Sequence, residues 1–339
     1  MADSIFLEFL QKKSIEIDAR VKADRMKCTH KDIDTYLYNP LSKFCENGGK
    51  RHRPIICELA CEASGGNPKA AHGAGLAIEY FHLAALIHDD IADESTTRHG
   101  QPCMHINEGL GLSINAGDFA LTHMTGLVLE DDLLEEHTKL RVLHELNSMA
   151  YRTIEGQALD LGWVRDARFD VSTDDYECMA NHKTAYYSCA VPLVVGAICG
   201  GATDEQIEIM RHFGMSCGLA FQLQDDLLNL VGDAKEQGKD FRSDITESKR
   251  TLAVVYALQH LNRSQHDELI EILNSKSKDG ATLNRAVQIM EDSGALKFVK
   301  ARAVELSHAH RNDVLSAFSP SFARDCLLDM ADFFVSRLK

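Results

Sequence analysis

Proline is scarce in this chain, with six residues among 339, and no Pro/Gly/Ser-rich linker divides the sequence. Because proline interrupts helices, its scarcity leaves room for long ones. Internal repeats are also absent, so we expect residues 1–339 to form a single domain. The composition, 45% hydrophobic and 26% charged, is ordinary for a globular protein and excludes a wholly disordered chain.

Positive charge is in deficit, because the formal net charge is −15 at pH 7. A nucleic-acid-binding protein is expected to carry a basic surface, so that class is disfavoured. An anionic ligand would need local groups of Lys and Arg, or metal ions held by the acidic side chains.

Paired cysteine and histidine motifs are missing as well. The ten cysteines form no CxxC pair and the sixteen histidines no HExxH motif, so we expect reduced thiols in a cytoplasmic protein. The first residues lack the basic and long apolar segments of a signal peptide. The longest apolar run, about Cys189 to Ala202, is too short to span a bilayer, so an integral membrane protein is not expected.

Apolar periodicity is helical almost throughout, as in the series Ile207, Met210, Gly214, Cys217 and Phe221. Strands and hairpins are not convincing anywhere. The pattern predicts an all-α fold, a single large helical bundle whose sites lie between facing helices.

Some helix starts and loops can be read directly. Thr203 and Gln206 have the spacing of a capping box, and Ser172 or Thr173 is a second candidate cap. The segments that read as loops are 46–53, 165–175 and 232–250, the last being a candidate lid.

Four Asp-Asp pairs occur, and two of them stand in polar surroundings. Asp131-Asp132 is typical of a solvated helix face, and Asp174-Asp175 of a helix start.

The other two pairs, Asp89-Asp90 and Asp225-Asp226, each extend an apolar stripe. Such carboxylates should face the bundle interior, where bare charges are costly and need cations or donors. Asp93 follows the first pair at helical spacing, so three carboxylates can converge on one side of a helix. Hard oxygen ligands of this kind suit Mg²⁺ shared with substrate phosphates.

Familiar phosphate and calcium loops do not explain these residues. After Asp89 the EF-hand spacing fails, because no glycine stands at the sixth position. The stretch 232–240 has five residues between its glycines and Asp240 where a Walker A loop needs Ser or Thr. Gly109 and Gly111 begin a GxG, but Ile114 occupies the third glycine position.

Six short motifs occur in one order between about residues 45 and 250. They are GGKRHRP (48–54), HLAALIHDDIAD (82–93), GQALD (156–160), HKTA (182–185), FQLQDDLLN (221–229) and GK (238–239). Each is weak alone, but together they resemble the trans-isoprenyl diphosphate synthase (polyprenyl synthetase) family, which includes farnesyl and geranylgeranyl diphosphate synthases. The resemblance implies an all-α bundle around a central cavity. It also implies a prenyltransferase of isoprenoid biosynthesis that condenses an allylic diphosphate with isopentenyl diphosphate.

The resemblance also implies roles for individual residues. The metal positions are Asp89, Asp93 and Asp225, with Asp90 and Asp226 beside them, holding three Mg²⁺ ions. The isopentenyl diphosphate site comprises Lys50, Arg53 and His82. The positions that hold the allylic diphosphate or line the developing cation are Arg98, Lys183, Thr184, Gln222 and Lys239. A homodimer is implied by the resemblance alone.

Two positions depart from the family pattern. His99 follows Arg98 where a second arginine of the isopentenyl site is common, so affinity there is expected to be reduced or pH-dependent. Asn229 stands where Asp is usual, and it keeps an oxygen ligand.

Two other functions stay open: a terpene cyclase on the same scaffold, and a non-catalytic subunit that regulates an active synthase. A cyclase needs no isopentenyl site, so the basic segment 48–54 and His82 argue against it. A regulatory subunit could lose metal ligands, whereas this chain keeps both Asp-rich motifs.

Small residues before the first Asp-rich motif bear on product length. Ala85 lies one helical turn before Asp89, and Ala84 lies beside it. Family members that stop at fifteen carbons often carry a bulky aromatic there. The cavity floor should therefore lie deeper, at Phe81, at Phe119 or elsewhere. We expect a product of twenty carbons or more, with fifteen as the alternative.

Overall fold

Helices make up almost all of the regular structure. The computed structural model describes residues 4–24, 28, 30–46, 48–232 and 242–336, and in these ranges the all-α prediction is confirmed. The α-helices are α1 (Ile5–Ala23), α2 (Lys31–Ile33), α3 (Asn39–Glu46), α4 (His52–Ala63), α5 (His72–Ala92), α6 (Met104–Asn107), α7 (Leu110–Leu129), α8 (Glu136–Arg165), α9 (Thr173–Ala180), α10 (Val191–Cys199), α11 (Asp204–Val231), α12 (Ser243–Thr246), α13 (Leu252–His260), α14 (Arg263–Ser275), α15 (Gly280–Asp292), α16 (Ala295–His308), α17 (Arg311–Ala317) and α18 (Phe322–Ser336). A 3₁₀-helix covers Pro68–Ala71, and π-helices cover Asp34–Tyr38 and Asn181–Ala190.

The chain is organised in two compact units. The first contains the described residues of 1–148, 191–211 and 312–330, and the second those of 149–190, 212–311 and 331–339. Because their segments alternate along the sequence, neither unit is a contiguous domain. The assignment of 1–339 to one domain remains a proposal.

The core of the first unit depends on close helix packing at small residues. A Cβ on Gly196 of α10 would lie 2.1 Å from the carbonyl oxygen of Cys57 on α4. One on Gly200, just past α10, would lie 2.5 Å from the carbonyl oxygen of Cys61. A Cβ on Gly117 of α7 would lie 2.3 Å from the imidazole of His88 on α5. Glycine therefore lets α4, α5, α7 and α10 approach closely.

The second unit has its own apolar core, built mainly from α13, α15 and α16 and from the 212–231 part of α11. Glycines again set the closest approaches. A Cβ on Gly156 would lie 2.2 Å from the backbone nitrogen of Lys183, and one on Gly218 would lie 2.5 Å from the carbonyl oxygen of Ala185. The π-helix 181–190 is thus packed against α8 and α11 at backbone distance.

A short hairpin was not predicted. Strand β1 (Thr97–Arg98) pairs antiparallel with β2 (Gln101–Pro102). His99 and Gly100 form the turn with φ of 50° and 74°, as two-residue hairpin turns with positive φ require. Strands of two residues leave no alternating pattern, so the expectation that no hairpin exists was wrong here.

The predicted helix starts are confirmed. Ser172 caps α9, and its side chain and that of Asp175 form a reciprocal capping box. The Thr203 amide donates to the Gln206 carboxamide, and the Gln206 amide donates back to the Thr203 hydroxyl at 3.3 Å. In the predicted lid 232–250, residues 233–241 lie outside the described residues, and α12 lies in the remainder.

One stretch, Pro68–Ala92, is long and apolar enough to cross a membrane. Its most apolar window is 61% buried inside the protein, as expected for a core helix. Length and composition alone do not distinguish the two cases.

Replacing Gly196 by alanine should destabilise the protein by about 1–3 kcal/mol, because the added methyl group collides with the α4 backbone. Gly162→Ala is the matched control, since a Cβ there meets nothing within 4 Å and alanine favours helix. Thermal or urea unfolding of both variants measures the difference. Equal stability of the two variants would contradict the close packing of α4 and α10.

Candidate active site

Three carboxylates crowd the carboxyl-terminal end of α5. Asp89 and Asp90 lie in its last turn, and Asp93 is its C-cap. This is the negative end of the helix dipole, where acidic side chains are unfavourable. The sequence therefore concentrates negative charge at a place where only nearby cations can offset it.

Arg98 is one such cation. Its Nε donates to both Asp90 oxygens, at 2.7 and 2.9 Å, and its Nη2 lies 2.5 Å from Asp90 Oδ1 and 3.7 Å from Asp89 Oδ2. Burial would lower the pKa of Arg98, but the two carboxylates raise it above its ordinary value. The β1–β2 hairpin delivers this guanidinium to the end of α5.

The carboxylates of the first Asp-rich motif differ in how exposed they are. Asp90 is 1% exposed and is held by Arg98, whereas Asp89 and Asp93 remain partly exposed. Asp89 and Asp93 are therefore the carboxylates that a cation from solvent can reach.

A second feature of α5 is His82, whose side chain is only partly exposed. Burial, and then the charges of Arg53, His52 and Arg98, hold its pKa well below the ordinary value. Arg53 is 5% exposed in the first turn of α4, and Lys50 is exposed in the preceding loop. Cationic side chains thus surround a neutral imidazole, which is the arrangement expected of an anion site.

The second Asp pair lies within α11. Asp226 is buried, and it accepts hydrogen bonds from the Tyr176 hydroxyl at 2.7 Å and the Gln222 carboxamide at 2.6 Å. Burial raises its pKa to about 7, although these two donors oppose the rise. Asp225 is partly exposed. The pair therefore repeats the pattern of the first, with one anchored and one accessible carboxylate.

Asn229 has a structural reason to be an amide. Its Nδ2 donates to the Ser243 hydroxyl at 3.1 Å, while its Oδ1 accepts from the Asp244 amide at 3.3 Å. An ionised aspartate could accept the second bond but could not donate the first. The residue ties α11 to the start of α12.

The third cluster surrounds Asp160, the last residue of GQALD. Lys183 Nζ lies 2.5 Å and Lys249 Nζ 3.2 Å from Asp160 Oδ2. Burial would raise the pKa of Asp160, but the two ammonium groups hold it below its ordinary value. Thr184 is buried next to Lys183 in the π-helix, a conformation that often marks functional sites.

The predicted residues thus fall into groups. Asp89, Asp90, Asp93 and Arg98 come together at the end of α5, with His82 and Arg53 further back on α5 and α4. Asp226 and Gln222 come together in the second unit, where Lys183 has Asp160 as its partner. His99 lies at the hairpin tip, and Lys239 lies outside the described residues.

Sequence reasoning missed two partners. Lys249 lies in a charge-dense segment and was given no role. Its one sequence signal was Asp160 of GQALD, a carboxylate that also had no assigned partner. Tyr176 left no signal, because its partner Asp226 is fifty residues away.

In the described part of the chain, no three His, Cys, Asp or Glu side chains are placed to hold a metal ion by themselves. The partly exposed Asp89 and Asp93 at a helix end offer only some of the oxygens that an ion needs. This fits Mg²⁺, which keeps several waters and takes further oxygens from substrate phosphates.

Comparisons with known proteins agree on one family. The family model described as polyprenyl synthetase matches residues 34–290. A short chain isoprenyl diphosphate synthase from Methanothermobacter thermautotrophicus is 36% identical over 86% of this chain and 87% of its own. A geranylgeranyl diphosphate synthase from Sulfolobus acidocaldarius is 34% identical (75% and 77% covered), and a geranylfarnesyl diphosphate synthase from Natronomonas pharaonis is 34% identical (89% and 90%).

Solved structures are similar as well. Geranylgeranyl pyrophosphate synthetase from Pyrococcus horikoshii superposes with a TM-score of 0.88 at 28% identity, covering 98% of each chain. Geranylgeranyl pyrophosphate synthase from Corynebacterium glutamicum, in complex with isoprenyl diphosphate and magnesium, has a TM-score of 0.86 at 26% identity, covering 99% and 100%.

The lowered pKa of His82 predicts a pH dependence of stability. The unfolded chain takes up a proton at this residue below about pH 6.5, while the folded protein does not. The stabilisation is therefore complete above that pH and is lost as pH falls through the folded-state pKa, by up to about 1.4 kcal/mol per pH unit. His82→Gln should flatten the fall in unfolding free energy between pH 6.5 and 5. An unchanged slope would contradict the assignment.

Proposed function

We propose that this chain, which belongs to the polyprenyl synthetase family, is the trans-prenyltransferase that joins an allylic diphosphate to isopentenyl diphosphate and releases a longer trans-prenyl diphosphate. The observation that supports this most directly is the layout of α5. His82, surrounded by arginines, and Asp89, with Arg98 nearby, are seven residues apart, about 10 Å along one face of the helix. One helix thus carries a cationic anion site and an acidic cation site, as two diphosphate substrates require.

We assign the accessible carboxylates Asp89, Asp93 and Asp225 as Mg²⁺ ligands, with three ions per site. Bound Mg²⁺ supplies Lewis-acid charge that stabilises the departing diphosphate. Asp90 and Asp226 act as positioning residues, since protein donors hold both. Gln222, which donates to Asp226, supports the second pair.

The proposed substrate-binding residues divide between the two substrates. Lys50, Arg53 and His82, with His99 near Arg98, bind isopentenyl diphosphate. Arg98, Lys183, Thr184 and Lys239 bind the allylic diphosphate or line the developing cation. Lys249 joins this second group, because it shares Asp160 with Lys183.

The reaction needs no protein nucleophile. The allylic C–O bond breaks and its electron pair leaves with the diphosphate, whose charge the lysines and arginines stabilise. The double bond of isopentenyl diphosphate, held close by its own site, attacks the allylic carbon and forms the new C–C bond. A proton then leaves the neighbouring carbon, and the released diphosphate accepts it.

The same observation weighs against the other functions. A cyclase acts on one substrate and has no use for the arginines around His82. A non-catalytic subunit has no use for accessible carboxylates in both Asp-rich motifs.

We also propose a cytoplasmic homodimer. Several apolar side chains on or next to α7 and on α8 are strongly exposed, and a second copy of the chain would cover them. They are Leu110, Leu129, Leu133, Leu140, Tyr151 and Ile154, with exposures of 54–68%.

The product is proposed to have twenty carbons or more, as the names of the geranylgeranyl and geranylfarnesyl relatives suggest. Ala84 is fully buried and Ala85 half-buried on α5, so neither fills space with a large side chain. Phe81 is 3% exposed. Phe119 packs against Tyr38 and His123, with ring centroids 5.4 and 5.6 Å apart, and is the firmer candidate for a deeper floor.

Asp93→Ala should lower turnover by about three orders of magnitude or more, because the lost charge acts mainly in the transition state. Asp132→Ala, at the exposed position of the Asp131-Asp132 pair, is the matched control and should retain activity. The assay combines Mg²⁺, labelled isopentenyl diphosphate and an allylic diphosphate, with EDTA as a second control. Near-normal turnover of Asp93→Ala, or activity in EDTA, would refute the metal assignment.

Product length offers a separate test. Ala85→Phe should shorten the main product, because a phenyl ring one helical turn from Asp89, at a distance of about 6 Å, would obstruct the path of the growing chain. Phe119→Ala should lengthen it. Chromatography of the dephosphorylated products measures both. A wild type that stops at fifteen carbons, or variants that leave the distribution unchanged, would disprove this floor without affecting the reaction class.

A further inference from the structure

Arg51 lies between two residues of the proposed isopentenyl site, yet it faces the protein interior. Its side chain is 2% exposed, while Lys50 before it is exposed. Its backbone is left-handed, with φ 49° and ψ 29°, at the residue that precedes α4. A non-glycine residue keeps this conformation only where its surroundings impose it.

The guanidinium of Arg51 is bonded to three separate elements. Nε donates to Asp18 of α1 at 2.7 Å, Nη1 to Glu79 of α5 at 2.7 Å, and Nη2 to the Cys45 carbonyl of α3 at 2.5 Å. Glu79 is 2% exposed, so the pair is shielded from water. A Cβ on Gly49 would lie 3.4 Å from Arg51 Nη1, which shows that the loop folds back over the guanidinium.

Glu79 links this ion pair to the site. It lies three residues before His82, so the two share a face of α5. The charge of Arg51 also contributes to the lowered pKa of His82. The ion pair between Arg51 and Glu79 therefore fixes the position of the loop 48–51 along the axis of α5, beside His82.

Buried ion pairs add little net stability, but they fix the relative placement of the elements that carry them. We infer that Arg51 is a positioning residue of the isopentenyl diphosphate site: held by Glu79 and Asp18, it sets the left-handed backbone that places Lys50 and Arg53 beside His82. It does not touch the substrate. This inference rests on the proposed function of that site.

The test compares Arg51→Met with Arg20→Met. Arg20 also extends from α1 to a buried acidic partner, Glu58 of α4, and bonds Glu16, whereas none of its hydrogen bonds or ion pairs reaches the described loop 48–51. Both changes should lower Tm. Only Arg51→Met should raise the KM for isopentenyl diphosphate, by about tenfold or more, with the KM for the allylic substrate within about twofold of wild type.

Milder variants keep the test decisive if Arg51→Met folds poorly. Arg51→Lys retains the charge but loses the fork, and Glu79→Gln retains an acceptor without charge, so both should raise the same KM by a smaller factor. Calorimetric titration with isopentenyl diphosphate alone should show the same order of affinities.

Equal changes in both KM values, or the same profile for Arg51→Met and Arg20→Met, would overturn the positioning role. A wild-type protein that does not consume isopentenyl diphosphate at all would instead refute the proposed function.

Discussion

The negative charge at the carboxyl-terminal end of α5 constrains the rest of the site. An apolar helix that terminates in three carboxylates is unfavourable by itself, because the helix dipole and the buried surroundings both oppose negative charge. The Arg98–Asp90 pair removes part of that penalty and fixes where the remaining carboxylates stand. Asp89 and Asp93, which remain partly exposed, are the carboxylates of this group that we propose as ligands of a divalent cation.

The two Asp pairs solve the same problem with different partners. Asp90 is held by a guanidinium, so its negative charge is matched by a positive one. In the described part of the chain, Asp226 accepts hydrogen bonds from a phenol and a carboxamide, which are neutral, and burial raises its pKa to about 7. Neutral donors orient a carboxylate without cancelling its charge, so the charge of Asp226 is balanced less completely than that of Asp90.

Much of this could be read from the sequence, and the limits have physical causes. Helical periodicity, the caps at Ser172 and Thr203 and the apolar runs before each Asp pair are local signals, and the structure confirms the elements that they predicted. Contacts between distant residues have no local signal. The bonds from Tyr176 to Asp226 and from Lys249 to Asp160 depend on how helices pack. The hairpin that delivers Arg98 is too short to show an alternating pattern.

Binding of anionic substrates requires local positive charge that outweighs the negative net charge of the whole molecule. A chain with a net charge of −15 repels anionic substrates at long range, so attraction has to come from side chains that screening by salt hardly affects. Buried groups meet that condition, because they are screened much less than exposed ones. Arg53 and Arg98 are buried. Desolvation is the main cause of the lowered pKa of His82, and the charges of these arginines lower it further. In the proposed isopentenyl site, the burial of Arg53 therefore strengthens the attraction by which an acidic chain would hold a diphosphate.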